Sequence, residues 1–123
     1  MSYFAARTKG APGAPLFFTF HGTGGDESQF HRLASELVPG ASVVSPRGDV
    51  NENGLNRYFR RTGEGVYDMD DLAKRTEAMA AFLAAEKEAA GAERVIGLGY
   101  SNGANILAAV ALASPGIVDD YVL

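Results

Sequence analysis

Residues 95–113 read VIGLGYSNGANILAAVALA. Val95, Ile96 and Leu98 make a short apolar run of the kind found in strands buried on both faces, and the spacing predicts a strand over residues 94–98. Gly99-Tyr100-Ser101-Asn102-Gly103 follows, a Gly-x-Ser-x-Gly pentapeptide. Residues 102–113 are alanine-rich and apolar and predict a helix. A strand that runs through Gly-x-Ser-x-Gly into a helix is the setting of a serine nucleophile on a sharp turn. Gly99 and Gly103 let the chain turn that tightly, and the turn is expected to strain the Ser101 backbone. Ser101 Oγ then stands exposed at the sheet edge, and the Asn102 N–H can face a developing oxyanion. Two other readings stay open. In one, Ser101 only caps the helix. In the other, Gly97-x-Gly99-x-x-x-Gly103 approximates a dinucleotide-binding loop. Such a loop normally lies in the first strand–helix unit, whereas this one comes late. The next strand also begins with Asp119-Asp120, while a ribose-binding acid belongs near a strand's C-terminal end.

Working outward, strand and helix alternate. LFFTF at residues 16–20 is a dense apolar run between Pro15 and Gly22, read as a buried strand. Residues 28–38 carry Phe30, Leu33, Ala34 and Leu37 at helical spacing, and Pro39-Gly40 stops them. Short strands are expected at 2–7 and 42–45, with a turn-rich connector at 9–15. Residues 47–66 have no clean period and read as one long loop. Residues 68–90 are the clearest helix, with Leu72, Met79, Phe82 and Leu83 on one face. Asp68, Asp70 and Asp71 lie in its first turn, where carboxylates suit the helix dipole, and Gly91 suits its end. A last strand is expected at 118–123. The pattern predicts an α/β fold: a mostly parallel sheet with helices on both faces, in one domain over residues 1–123.

Composition narrows the function. The chain has 123 residues, with 11 Lys plus Arg against 15 Asp plus Glu, a net charge of −4. That balance argues against sequence-independent nucleic-acid binding. With no cysteine there is no disulfide framework, thiolate nucleophile or Cys-based zinc site. Residues 1–15 contain Arg7 and Lys9 but no apolar leader segment. The longest apolar run, residues 106–113, is far short of the ~18–20 residues that span a bilayer. No membrane span and a cytoplasmic location are expected.

A second glycine-rich loop, His21-Gly22-Thr23-Gly24-Gly25-Asp26, follows the first dense strand. In a serine hydrolase such a loop supplies the second oxyanion donor, here the Thr23 N–H. It lacks the Gly-Lys-Ser/Thr of a P-loop. His21 is expected to order the loop by hydrogen bonding rather than to act as a base, and His31 to be structural or solvated. In the long loop, Arg57, Phe59 and Arg60 are candidates to line a substrate pocket, an arginine holding a carboxylate or phosphate. The plainer reading of this arginine cluster is ion pairing with Glu64 and Asp68, with aromatics packed beneath. Arg47-Gly48-Asp49 spells a cell-adhesion tripeptide, read as chance.

Three stretches carry a resemblance: HGTGGDE (21–27), SPRGDVNENGLNRYFRRTGEGVYDMDDL (45–72) and VIGLGYSNGANILA (95–108). In this order they resemble the carboxylesterase/phospholipase family of α/β-hydrolases, relatives of the acyl-protein thioesterases and dienelactone hydrolases. The resemblance runs from about Leu16 to Leu123. It implies a serine hydrolase that uses no metal or cofactor and acts on a small-molecule carboxylic ester. Ser101 would be the nucleophile, with Thr23 and Asn102 supplying the oxyanion-hole amides. In the family the order is Ser, then Asp, then His. After Ser101 this sequence has Asp119 and Asp120 and no histidine. The chain is therefore expected to be the N-terminal part of a hydrolase domain, cut before the last strands and inactive alone. The apolar residues near 121–123 are expected to need a cover, which leaves homo-oligomerisation open. The alternatives are a non-catalytic binding protein on the same scaffold and a nucleotide-binding α/β domain.

Overall fold

The computed structural model describes residues 3–63 and 66–123. In chain order its elements are β1 (Ala5–Thr8), β2 (Leu16–Phe20), α1 (His31–Leu37), β3 (Ser42–Pro46), β4 (Val50–Glu52), β5 (Leu55–Arg57), β6 (Arg61–Gly63), β7 (Val66–Tyr67), α2 (Met69–Ala90), β8 (Val95–Gly99), α3 (Asn102–Ala113) and β9 (Asp120–Val122). The main sheet has the order β1-β3-β2-β8-β9. β3, β2, β8 and β9 run parallel and β1 is antiparallel to β3. This is the mostly parallel α/β sheet that the alternating pattern predicts.

β2 is central because all five of its residues can be buried, and all five are. Its alternate side chains face two cores. Leu16, Phe18 and Phe20 pack with Met79, Phe82 and Leu83 of α2 and with Ile106, Leu107 and Val110 of α3. Phe17 points the other way, with Val43, Ala41 and Ala34 of α1. Helices therefore cover both faces. On β8, Gly97 lets α3 approach: an added Cβ would lie 3.1 Å from both methyls of Leu107.

The structure revises several boundaries. α1 starts at His31 rather than residue 28, because Asp26 draws the preceding residues into a turn. Its Oδ1 accepts from both Ser28 N and Ser28 Oγ, and its carbonyl accepts from Gln29 N. Of the apolar positions on that helix only Ala34 is buried; Leu33 and Leu37 are 40% and 57% exposed. The stretch read as a single loop holds two hairpins. β4 and β5 pair across Asn53-Gly54, whose φ values of 50° and 88° are those of a type I′ turn. β6 and β7 form the second. The first strand is Ala5–Thr8, and residue 2 of the expected strand lies outside the described residues. β9 is confined to Asp120–Val122, since Asp119 instead holds Val95: Asp119 Oδ2 accepts from Val95 N at 2.7 Å. β9 lies at the sheet edge with Val122 and Leu123 exposed. Helix α2 is as predicted. Asp68 caps its start by accepting from Asp71 N, and Gly91 ends it at φ 61°. Among the described residues no helix is long and apolar enough to cross a membrane.

Candidate active site

Both glycine-rich loops lie at the C-terminal ends of adjacent parallel strands, β2 and β8. Ser101 sits between β8 and α3 at φ 56°, ψ −117°, a conformation an L residue rarely adopts. Its neighbours make the turn possible. A Cβ on Gly99 would lie 2.8 Å from the Ala104 backbone, and one on Gly103 would lie 2.2 Å from Phe20 O. These two glycines thus make room for protein backbone at the start of α3 and the end of β2. Ser101 is exposed and its side chain makes no capping bond to α3, so the capping role is not realised. The Asn102 N–H, first in the helix, meets no acceptor among the described residues.

The Thr23 N–H likewise meets no acceptor among the described residues. Its loop is a tight turn in which Gly25 N donates to Gly22 O at 3.0 Å, with Gly24 at φ 83°. The turn lies against Tyr100, the residue before the serine: a Cβ on Gly22 would be 3.5 Å from Tyr100 O and 2.9 Å from Tyr100 Cδ2. The turns that hold Thr23 and Ser101 thus each carry a backbone N–H with no acceptor among the described residues.

His21 is buried at the base of this loop, stacked on Tyr58 with ring centroids 4.6 Å apart. Its Nδ1 donates to Gly22 O at 2.7 Å and its Nε2 accepts from Gly48 N at 2.9 Å. A carbonyl can only accept and an amide N–H can only donate, so the ring is held neutral with its proton on Nδ1. Burial lowers its pKa below the ordinary 6.5. Both nitrogens order backbone, the role expected from the sequence. His31 bridges strands instead, with Nδ1 2.8 Å from Ser45 Oγ and Nε2 2.8 Å from Thr8 Oγ1.

The structure corrects the reading of Arg57 and Phe59 as pocket-lining residues. Phe59 is fully buried and Arg57 is 3% exposed. Arg57 donates from Nε to Phe59 O and from Nη1 to Thr23 Oγ1, at 3.0 and 2.7 Å. Phe59 packs edge-on against Tyr67. Their polar and apolar groups are spent inside the protein. Arg60 differs: its main chain is pinned by Asp71 Oδ2 and Asp68 N, and its side chain is exposed. Asp68 caps a helix rather than pairing with an arginine, and Glu64 lies outside the described residues. The Arg47-Gly48-Asp49 triplet is tied down at both ends, Arg47 to Glu27 at 2.6 Å and Asp49 to Arg75 at 2.9 Å.

Sequence reading counts Tyr58 only among the aromatics packed beneath the long loop, where it is indeed buried. Its N–H donates to Asn102 Oδ1 at 2.7 Å, and its hydroxyl donates to Pro46 O at 2.7 Å and accepts from His21 N at 3.1 Å. One buried residue thereby joins the ends of β2 and β3 to the start of α3. Burial raises its pKa well above 10.0, which keeps the hydroxyl a donor. Nothing in the periodicity marks it, because it lies in the segment between the two hairpins.

No protein-family model matches the chain. MhqD of Bacillus subtilis (strain 168), named as a hydrolase with no substrate given, is 46% identical over 97 residues. That match takes in 77% of this chain and 48% of MhqD, so the chain spans about half the length of this curated relative. Among solved structures, Atu2452 of Agrobacterium tumefaciens strain C58, a protein of unknown function, superposes with TM-score 0.94 at 55% identity. It matches 98% of this chain and 59% of its own. A Bacillus cereus carboxylesterase superposes with TM-score 0.89 at 36% identity, over 97% of this chain and 57% of its own. The chain is similar to carboxylesterases and has their α/β-hydrolase fold. In α/β-hydrolases the strand–Gly-x-Ser-x-Gly–helix unit and the loop after the earlier strand meet at one sheet edge, as β8–α3 and residues 21–26 do here.

Proposed function

We propose that the whole protein is a serine carboxylesterase acting on a small-molecule ester. Ser101 Oγ attacks the ester carbonyl carbon and gives up its proton to a general base. The carbonyl oxygen, now an oxyanion, is held by the Thr23 and Asn102 N–H groups. The alcohol leaves with a proton, and water then releases the acid from the acyl-serine. The strained turn at Ser101, with the Asn102 and Thr23 N–H groups lacking an acceptor among the described residues, carries this reading. Likeness to a carboxylesterase over nearly the whole chain supports it. Neither His21 nor His31 serves as the base, since the ring nitrogens of each are engaged within the protein. Arg60, whose side chain is exposed, lines a cavity of about 260 Å³ with Asn51, Glu52, Asn53 and Arg61, and of the three candidate pocket residues it is the one left to meet an anionic group on the substrate.

The test is a fluorophosphonate probe on the whole protein, followed by mapping of the labelled residue. Labelling at Ser101, lost in Ser101→Ala together with p-nitrophenyl acetate turnover, is the expected result. A Ser101→Ala protein that stays folded and keeps most of that turnover overturns the proposal.

A further inference from the structure

The geometry points to Arg57 as the positioning residue of the oxyanion turn, acting through the Thr23 hydroxyl. The inference rests on the proposed esterase reading and extends it to a residue that touches no substrate.

The turn that presents the Thr23 N–H is made of Gly22, Thr23, Gly24 and Gly25. Three of its four residues are glycines, which by themselves leave the backbone free. An oxyanion donor works because it is already in place when charge develops, so a loose turn would forfeit its advantage. Thr23 carries the only side chain in the turn, and that side chain is held. Thr23 Oγ1 accepts from Arg57 Nη1 at 2.7 Å. The neighbouring residue on β5 takes the rest of the turn. Gly24 N donates to Asn56 O at 3.1 Å, and Asn56 Nδ2 donates to Gly25 O at 3.0 Å. Asn56 and Arg57 therefore grip Thr23, Gly24 and Gly25 in succession.

Arg57 is itself immobile. It is 3% exposed, its Nε is bonded to Phe59 O at 3.0 Å, and Glu52 lies 3.7 Å from it across the β4–β5 hairpin. The planar fork lets one side chain reach both the Phe59 carbonyl and the Thr23 hydroxyl, which an ammonium on a flexible stem cannot do with fixed geometry. The hydroxyl of Thr23, which the sequence leaves without a role, thereby becomes the handle by which the hairpin orients the adjacent N–H.

The experiment compares Thr23→Val, Arg57→Lys, Arg57→Met and Thr23→Val/Arg57→Met in the whole protein. It measures kcat and KM on p-nitrophenyl acetate, affinity for phenylboronic acid, and thermal melting. Thr23→Val keeps the side-chain shape and only removes the acceptor, so it reads the contact even if the arginine variants fold poorly. Thr23→Val and Arg57→Met should each lower kcat by roughly 10- to 100-fold with KM within about twofold, the size of effect expected from a displaced catalytic group. Boronate affinity, which depends on a tetrahedral adduct in the oxyanion site, should fall in step. The double variant should be no worse than the poorer single, since both remove one link. Arg57→Lys should not restore kcat. A folded Thr23→Val enzyme with unchanged kcat and boronate affinity overturns the inference, as does an additive double variant. Retained turnover in Ser101→Ala, measured alongside, marks failure of the esterase reading itself, and the inference falls with it.

Discussion

The side-chain oxygen of Asn102 accepts a hydrogen bond from the Tyr58 N–H at 2.7 Å, and both residues are buried. This contact fastens the first residue of helix α3 to the segment between the two small hairpins. It is continued by the Tyr58 hydroxyl, which joins Pro46 O to His21 N. The turn that holds Ser101, the loop that follows β2 and the end of β3 are thus referenced to one residue, Tyr58. Of this buried set, Asn102 Nδ2 meets no partner among the described residues.

Tyr58→Phe should therefore be costly although it deletes a single oxygen. The ring contacts with Phe20 and His21 survive, but His21 N and Pro46 O lose their partner inside the protein. Leaving buried polar groups unpaired costs about 1–3 kcal/mol. Urea unfolding of the whole protein reads it directly. A loss below about 0.5 kcal/mol, the range of ordinary surface changes, speaks against the hub role.

Ser101→Gly and Ser101→Ala should separate in stability while both lose esterase activity. At φ 56°, ψ −117° an alanine keeps the strain that the serine bears, whereas glycine has no Cβ to be strained. Relief of one such residue is worth about 1–3 kcal/mol. Melting of the two variants side by side is the measurement, with the glycine form melting higher. Equal melting temperatures would mean that the turn stores no strain.

Gly103→Ala and Gly116→Ala make a second contrast. The new methyl at Gly103 would lie 2.2 Å from Phe20 O and 2.5 Å from His21 O, so α3 and β2 cannot both stay in place. At Gly116 nothing lies within 4 Å. Gly103→Ala should fail to give folded protein, and Gly116→Ala should change stability by no more than about 0.5 kcal/mol. Circular dichroism and solubility decide the first, urea unfolding the second. A soluble, cooperatively melting Gly103→Ala protein contradicts the close packing described for this turn.

The elements legible in the sequence were those whose pattern is local. LFFTF reads as a buried strand because four of its five residues are apolar, and residues 68–90 read as a helix because Asp68 and Gly91 mark its ends. The strand–Gly-x-Ser-x-Gly–helix unit is legible because its turn chemistry is compressed into five residues. What escaped depends on contacts distant in sequence. The β4–β5 hairpin carries its signal in Asn53-Gly54, but its strands are three residues each and show no alternation. Arg57 reads as a pocket-lining or ion-paired arginine until the fold brings Thr23 and the Phe59 carbonyl to its guanidinium. Leu33 and Leu37 have helical spacing yet remain exposed, since spacing fixes a face of the helix and not what lies opposite.

His21, at the base of the turn formed by residues 22–25, makes the stability of the chain depend on pH. His21 is held neutral by one acceptor, Gly22 O, and one donor, Gly48 N. Protonation would place a second N–H against the Gly48 N–H, and burial further disfavours the charge, so the folded pKa lies below the ordinary 6.5. His31 is shifted in the same direction, by burial. With the folded pKa depressed, the folded form binds fewer protons than the unfolded form. Stability is then complete above about pH 6.5 and is lost as pH falls toward the folded pKa. The carboxylates of Asp26, Glu27 and Glu52, whose pKa values are lowered from 3.8, 4.5 and 4.5, contribute their own loss only at lower pH. Urea midpoints between pH 7.5 and 5.5 therefore isolate the histidines. They should decline across that range in the parent protein. His21→Asn should be less stable at pH 7.5 but show a visibly flatter decline, and His31→Asn in parallel measures the remaining share. Imidazole nitrogen NMR of the parent at pH 7.5 should find the His21 proton on Nδ1. A proton on Nε2, or a His21→Asn slope identical to the parent's, would remove His21 as the source of the effect.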